Sequence, residues 1–90
     1  VSTMTEFFAA RRAAVRAESP DEPIGLDTLL MWRDEWAREV RDAANSRRVV
    51  DIRTARSYIR VFGRDALRDL RGASNIDELC VEFPKMRSVR

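Results

Sequence analysis

The chain has 90 residues, with 17 basic and 15 acidic side chains, no histidine, one cysteine and a formal net charge of +2. Those counts exclude an intramolecular disulfide, histidine-based acid–base and nucleophilic machinery, and the usual zinc ligand sets. With 44% hydrophobic residues, two Trp and four Phe, the chain is too apolar for disorder and suits one small domain, residues 1–90.

The charge is unevenly placed. Residues 1–46 carry six Arg against nine acids, net −3; residues 47–71 carry eight Arg against three Asp, net +5; residues 72–90 balance to 0. Sixteen of the 17 basic residues are Arg and only Lys85 is Lys. That bias is what a GC-rich genome produces and fits a bacterial or phage source. Its physical consequence is a set of planar, permanently charged groups that grip carboxylate or phosphate bidentately.

In chain order, Thr3-Met4-Thr5-Glu6 reads as a capping box opening a first helix that runs to about Glu18. Phe7, Phe8 and Val15 are its expected core contacts. Ser19-Pro20-Asp21-Glu22-Pro23-Ile24-Gly25 is a loop, since two prolines and a glycine stop the helix. A second helix spans about 27–45, with Leu29, Trp32, Trp36 and Val40 on one face. The two Trp could stack on bases but read foremost as core. Asn45 to Val50 is a connector, and Asp51 is the expected N-cap of a third helix.

Residues 51–71 carry the most marked pattern. Ile52, Ala55, Ile59, Phe62, Ala66, Leu67 and Leu70 share one arc of a helical wheel, and Arg53, Arg56, Arg60, Arg64, Arg68 and Arg71 share another. Both arcs stay in phase across Gly63, which favours one continuous helix over a break at that glycine. The six arginines would then form a ribbon roughly 27 Å long at 1.5 Å per residue. Gly72 is the expected C-terminal cap. A last short helix, about 75–83, starts at Ser74 or Asn75 and buries Ile76, Leu79, Cys80 and Phe83; residues 83–90 read as a frayed basic tail.

Thr54 to Leu70, TARSYIRVFGRDALRDL, weakly resembles a helix of tyrosine-recombinase core-binding domains, in which a Thr-x-x-x-Tyr start precedes a long amphipathic helix. No catalytic motif accompanies it, and it does not place the chain in that family.

The expected fold is therefore all-α, a small single-domain bundle of about four helices. No glycine-rich phosphate loop is present, and the expectation is a non-enzymatic protein without cofactor or metal. With a lone Cys80, no apolar run of membrane-span length and nothing resembling a signal peptide, a soluble cytoplasmic protein is expected. The expected function is regulatory contact with nucleic acid, through Arg47, Arg48, Arg53, Arg56, Arg60, Arg64, Arg68 and Arg71. The alternative is a protein–protein interaction module, an inhibitor, adaptor or assembly factor, with a homodimer as one arrangement. The ribbon reading requires that those arginines lie along one rod and are not already paired with the protein's own carboxylates.

Overall fold

A computed structural model describes residues 2–83, the side chain of Arg64 excepted; the expected basic tail beyond residue 83 lies outside the described residues. Every regular element described is helical: α1 (Met4–Glu18), α2 (Leu26–Asn45), α3 (Ile52–Phe62), a 3-10 turn (Gly63–Asp65), α4 (Ala66–Asp69) and α5 (Ile76–Glu82).

Local chemistry sets the helix ends. The Thr3 hydroxyl accepts from the Glu6 amide at 3.2 Å, and the Glu6 carboxylate accepts from the Thr3 amide at 3.1 Å, completing the capping box of α1. The loop after α1 is folded back, because the Arg16 guanidinium donates to the carbonyls of Pro20 and Glu22. Asp51 caps α3 by accepting from the Arg53 amide at 2.7 Å. Asn75 is the N-cap residue of α5, but its side chain makes no cap hydrogen bond. Its amide instead clamps the connector, donating to the Val50 carbonyl at 2.8 Å and accepting from the Val50 amide at 3.2 Å.

The core lies at one end of an elongated molecule of 46 × 22 × 17 Å. Its radius of gyration is 14.7 Å, against about 12 Å for a compact domain of this length. At the thick end, Trp36, Val40, Tyr58, Leu70 and Leu79 are fully buried, with Ala37, Ala44, Val50, Ala55, Ala66 and Ala73 filling between them. Trp36 packs on Tyr58 at 5.7 Å between ring centroids, and Tyr58 on Phe62 at 4.5 Å. At the thin end, α1 and the start of α2 form a hairpin only two helices thick. There α1 buries no residue. The expected core residues Phe7, Phe8, Val15 and Leu29 are consequently only half-buried, with Phe8 edge-on to Trp32 at 5.8 Å. Ile52, Ile59, Phe62, Ile76 and Phe83 sit half-buried at the margin of the core, and Leu67 and Cys80 are half-buried without packing on it.

Residues 51–71 do not form one helix. Gly63 takes φ 61° and ψ −128°, and α3 ends there. Only glycine reaches that conformation cheaply. The phase match across Gly63 has another cause. The chain re-enters a helical turn whose Ala66 and Leu70 must face the same core as Ala55 and Tyr58. The buried face of α3 is also turned from the expected arc. Thr54, Ala55 and Tyr58 are buried, while Ile52 and Ile59 are half-exposed. That is a rotation of roughly 70°, taking about 100° per residue.

Gly72 is not a helix cap. A Cβ there would lie 2.6 Å from the Ala44 carbonyl oxygen, so the turn after α4 rests directly on the backbone at the end of α2.

The Tyr58 hydroxyl donates to Asp69, which satisfies the one polar atom of an otherwise apolar ring. Burial first, and the Asp69 carboxylate second, push the Tyr58 hydroxyl up to about 12, with Arg41 opposing.

The two glycines should differ in what a side chain costs them. Gly63→Ala would cost about 1–2 kcal/mol through backbone strain alone, whereas Gly72→Ala would cost about 2–3 kcal/mol through the clash with Ala44; urea denaturation midpoints compare them. Tyr58 is neutral in both folded and unfolded chains below pH 10, so its contribution is fully present there. Between about pH 10 and 12 the unfolded chain alone ionises, and stability should fall by roughly 1.4 kcal/mol per pH unit. Tyr58→Phe should flatten that alkaline limb, read as unfolding free energy against pH.

Candidate functional site

The outward face of α3 carries Arg53, Arg56 and Arg60, all exposed, opposite the buried Thr54, Ala55 and Tyr58. Two backbone tethers hold the start of α1 beside this face. The Met4 amide donates to the Ser57 hydroxyl at 3.2 Å, and the Trp36 indole donates to the Ser2 carbonyl at 2.7 Å. Between the two helices lies an open recess of about 350 Å³. Arg53, Arg56 and Arg60 line it from α3 together with Ser57, and Thr3, Thr5 and Glu6 line it from the other side. A second recess of about 370 Å³, beside Ser2, Asp51 and Thr54, shares Thr3, Glu6 and Arg53 with it.

The three arginines are not equivalent. Arg56 donates from two nitrogens to one oxygen of Glu82, which ties α3 to α5. Arg53 lies 3.6 Å from Glu6, with both side chains about half exposed or more. Arg60 makes no ion pair with a described residue. Glu6 takes its position chiefly from α1. The Thr3 amide, then the Thr3 hydroxyl, then Arg53 hold its carboxyl below the usual range.

The expected ribbon is overturned in two ways. The break at Gly63 ends the rod after Arg60, and Arg71 lies in a turn beyond α4. Arg53, Arg56 and Arg68 also have carboxylate partners within the chain: Glu6, Glu82 and, at 3.9 Å, Asp65. Arg68 and Arg71 do not line the recess, and the Arg64 side chain lies outside what the structure describes. The Arg68–Asp65 pair is largely exposed, so it adds little stability and leaves Arg68 exchangeable.

Arg47 and Arg48 belong to a helix end, not to the start of the next helix. The Arg48 amide donates to the Ala43 carbonyl and the Arg47 amide to Ala44, both at 3.0 Å, which is a Schellman turn closing α2. Arg47 occupies its left-handed position at φ 56°, a conformation that glycine takes more cheaply. The Arg48 carbonyl accepts from Ser74 at 3.2 Å. Both side chains are exposed, and neither lines the recess.

Of the residues around the recess, the sequence pattern singles out Arg53, Arg56 and Arg60 but not Thr5 or Ser57, and it marks Thr3 and Glu6 only as a cap. Ser57 is adjacent to Arg56 and one turn from Arg53 and Arg60, which is a usable signal. The approach of α1 to α3 is tertiary and leaves no such mark.

No group of His, Cys, Asp and Glu among the described residues is arranged to hold a metal ion, and no described helix is long and apolar enough to cross a membrane. The recess pairs guanidinium and hydroxyl donors with a single carboxylate, which suits hydrogen bonding to an oxyanion. Comparison with protein-family models, curated proteins and solved structures found no match.

Arg47→Gly separates backbone from charge at one of the expected contacts. It is expected to raise stability by about 1 kcal/mol by relieving the left-handed residue, seen as a higher urea midpoint. Unchanged or lower stability would contradict the strain reading.

Proposed function

We propose that the chain is a small, non-enzymatic binding module that contacts the phosphate backbone of nucleic acid with the outward face of α3. Arg53 and Arg60 supply the charge, and Thr5 and Ser57 are hydroxyl donors beside them. The observation that carries this reading is the recess itself, in which exposed guanidinium and hydroxyl groups from two helices converge with one carboxylate among them. The excess of +5 over residues 47–71 supports it, because local charge attracts a polyanion even when the total is small. Contacts of this kind position a backbone and carry no sequence preference of their own.

A second reading, contact with a protein, is favoured by a different observation. Leu26, Leu30 and Met31 at the far end of α2 are 70%, 40% and 53% exposed. Leu26 and Leu30 extend the apolar side of α2 past the point where the core covers it, and Met31 lies on the opposite side of the helix.

The short face makes a quantitative claim. In fluorescence anisotropy with a labelled duplex, log K against log salt should fall with a slope of about −2 to −3, as expected for two or three neutralised phosphates. A six-arginine ribbon would give about −5 on the same relation. Arg60→Glu should weaken binding about tenfold or more, while Arg68→Glu, beyond the break, should change it less than about threefold. No binding at low salt removes the nucleic-acid reading and leaves the protein contact.

A further inference from the structure

The recess contains its own anion. Glu6 lines both hollows, and its carboxylate faces Arg53 at 3.6 Å. The same oxygen, Oε1, is also fixed from behind by the Thr3 amide at 3.1 Å and the Thr3 hydroxyl at 2.9 Å. An ordinary surface carboxylate swings away when a stronger anion arrives. This one is held by the capping box of α1, and α1 is pinned to α3 through Met4 and Ser57. Glu6 therefore stays at the mouth whether or not Arg53 is engaged elsewhere.

From this we infer that Glu6 is a built-in competitor for Arg53, which lowers the affinity of the recess for phosphate. The inference rests on the nucleic-acid reading above and assigns that site a restraint. Arg60, which has no ion pair with a described residue, is then the first contact a polyanion meets. Arg53 joins only as the ligand displaces its internal partner. A ligand reaching both arginines gains from the exchange, whereas a small anion must compete with Glu6 at Arg53 directly. The depressed titration of Glu6 is consistent with this, since it reflects the hold of Thr3 first and the nearby Arg53 charge after it.

The test is a double-mutant cycle on the full chain, using a fluorescein-labelled oligonucleotide at low salt. Glu6→Gln keeps the cap, because a glutamine serves the same capping box, but removes the charge. Thermal melting checks that the fold is retained. Glu6→Gln should tighten binding about fourfold, the energy of releasing Arg53 from one opposite charge about 5 Å away in a water-rich setting. It should also steepen the salt slope by up to about one unit, because Arg53 is then free to release a counterion. In an Arg53→Gln background the gain should vanish. A gain of equal size without Arg53, or no gain at all in a folded Glu6→Gln protein that binds, overturns the inference and leaves the binding reading standing. If neither wild type nor Glu6→Gln binds the oligonucleotide, the binding reading itself fails and the restraint falls with it.

Discussion

The structure depends on Trp36. Its side chain is fully buried, its ring rests on Tyr58, and its one polar atom is satisfied by the carbonyl of Ser2. An indole N–H sealed in a core without an acceptor would be costly, and here the acceptor comes from the segment just before α1. One residue of α2 thus joins α3 by packing and the start of α1 by a hydrogen bond. The recess exists because of that arrangement. Together with the Met4–Ser57 hydrogen bond, the draw of Ser2 to Trp36 keeps Thr3, Thr5 and Glu6 beside Arg53 and Arg60.

A second set of contacts closes the other side of the core. Asn75 clamps Val50, Ser74 reaches the Arg48 carbonyl, and Gly72 rests against Ala44. All three concern backbone, and together they hold the turn after α4 to the connector after α2. Tyr58 completes the enclosure by bonding to Asp69 across the break at Gly63. The break is what lets α4 fold back so that Ala66 and Leu70 cover the same core as Tyr58. A straight continuation would carry Leu70 about 12 Å beyond Phe62 along the axis.

The sequence contained most of the helix boundaries. The Thr3/Glu6 box, the prolines at 20 and 23, and Asp51 act within a few residues of themselves, so their reading survives folding. The break at Gly63 was misread because in-phase arcs are evidence for a common core and do not require a common axis. Tyr58 was missed for a related reason. A hydroxyl-bearing ring beside Ile59 looks like the less apolar choice until Asp69, eleven residues on, supplies its partner. The candidate site was half legible. Its arginines and Ser57 lie on one helix, and the arginines show at helical spacing, while the Thr3 and Thr5 hydroxyls and Glu6 come from a segment more than 45 residues away in the chain. The pairing of Arg56 with Glu82, 26 residues on, is also non-local, and it ties an apparent contact residue into a brace between α3 and α5.

The thin hairpin has a consequence for how this protein can vary. Helix α1 is fastened near its first turn, and the alanines Ala9, Ala10, Ala13, Ala14 and Ala17 face outward along the rest of it. Nothing at the far tip supports the recess. Matched turns could be added to or removed from α1 and α2 near residues 18–26, and the recess would keep its shape. The reach of the arm is thus a free length, adjustable independently of the base of the molecule.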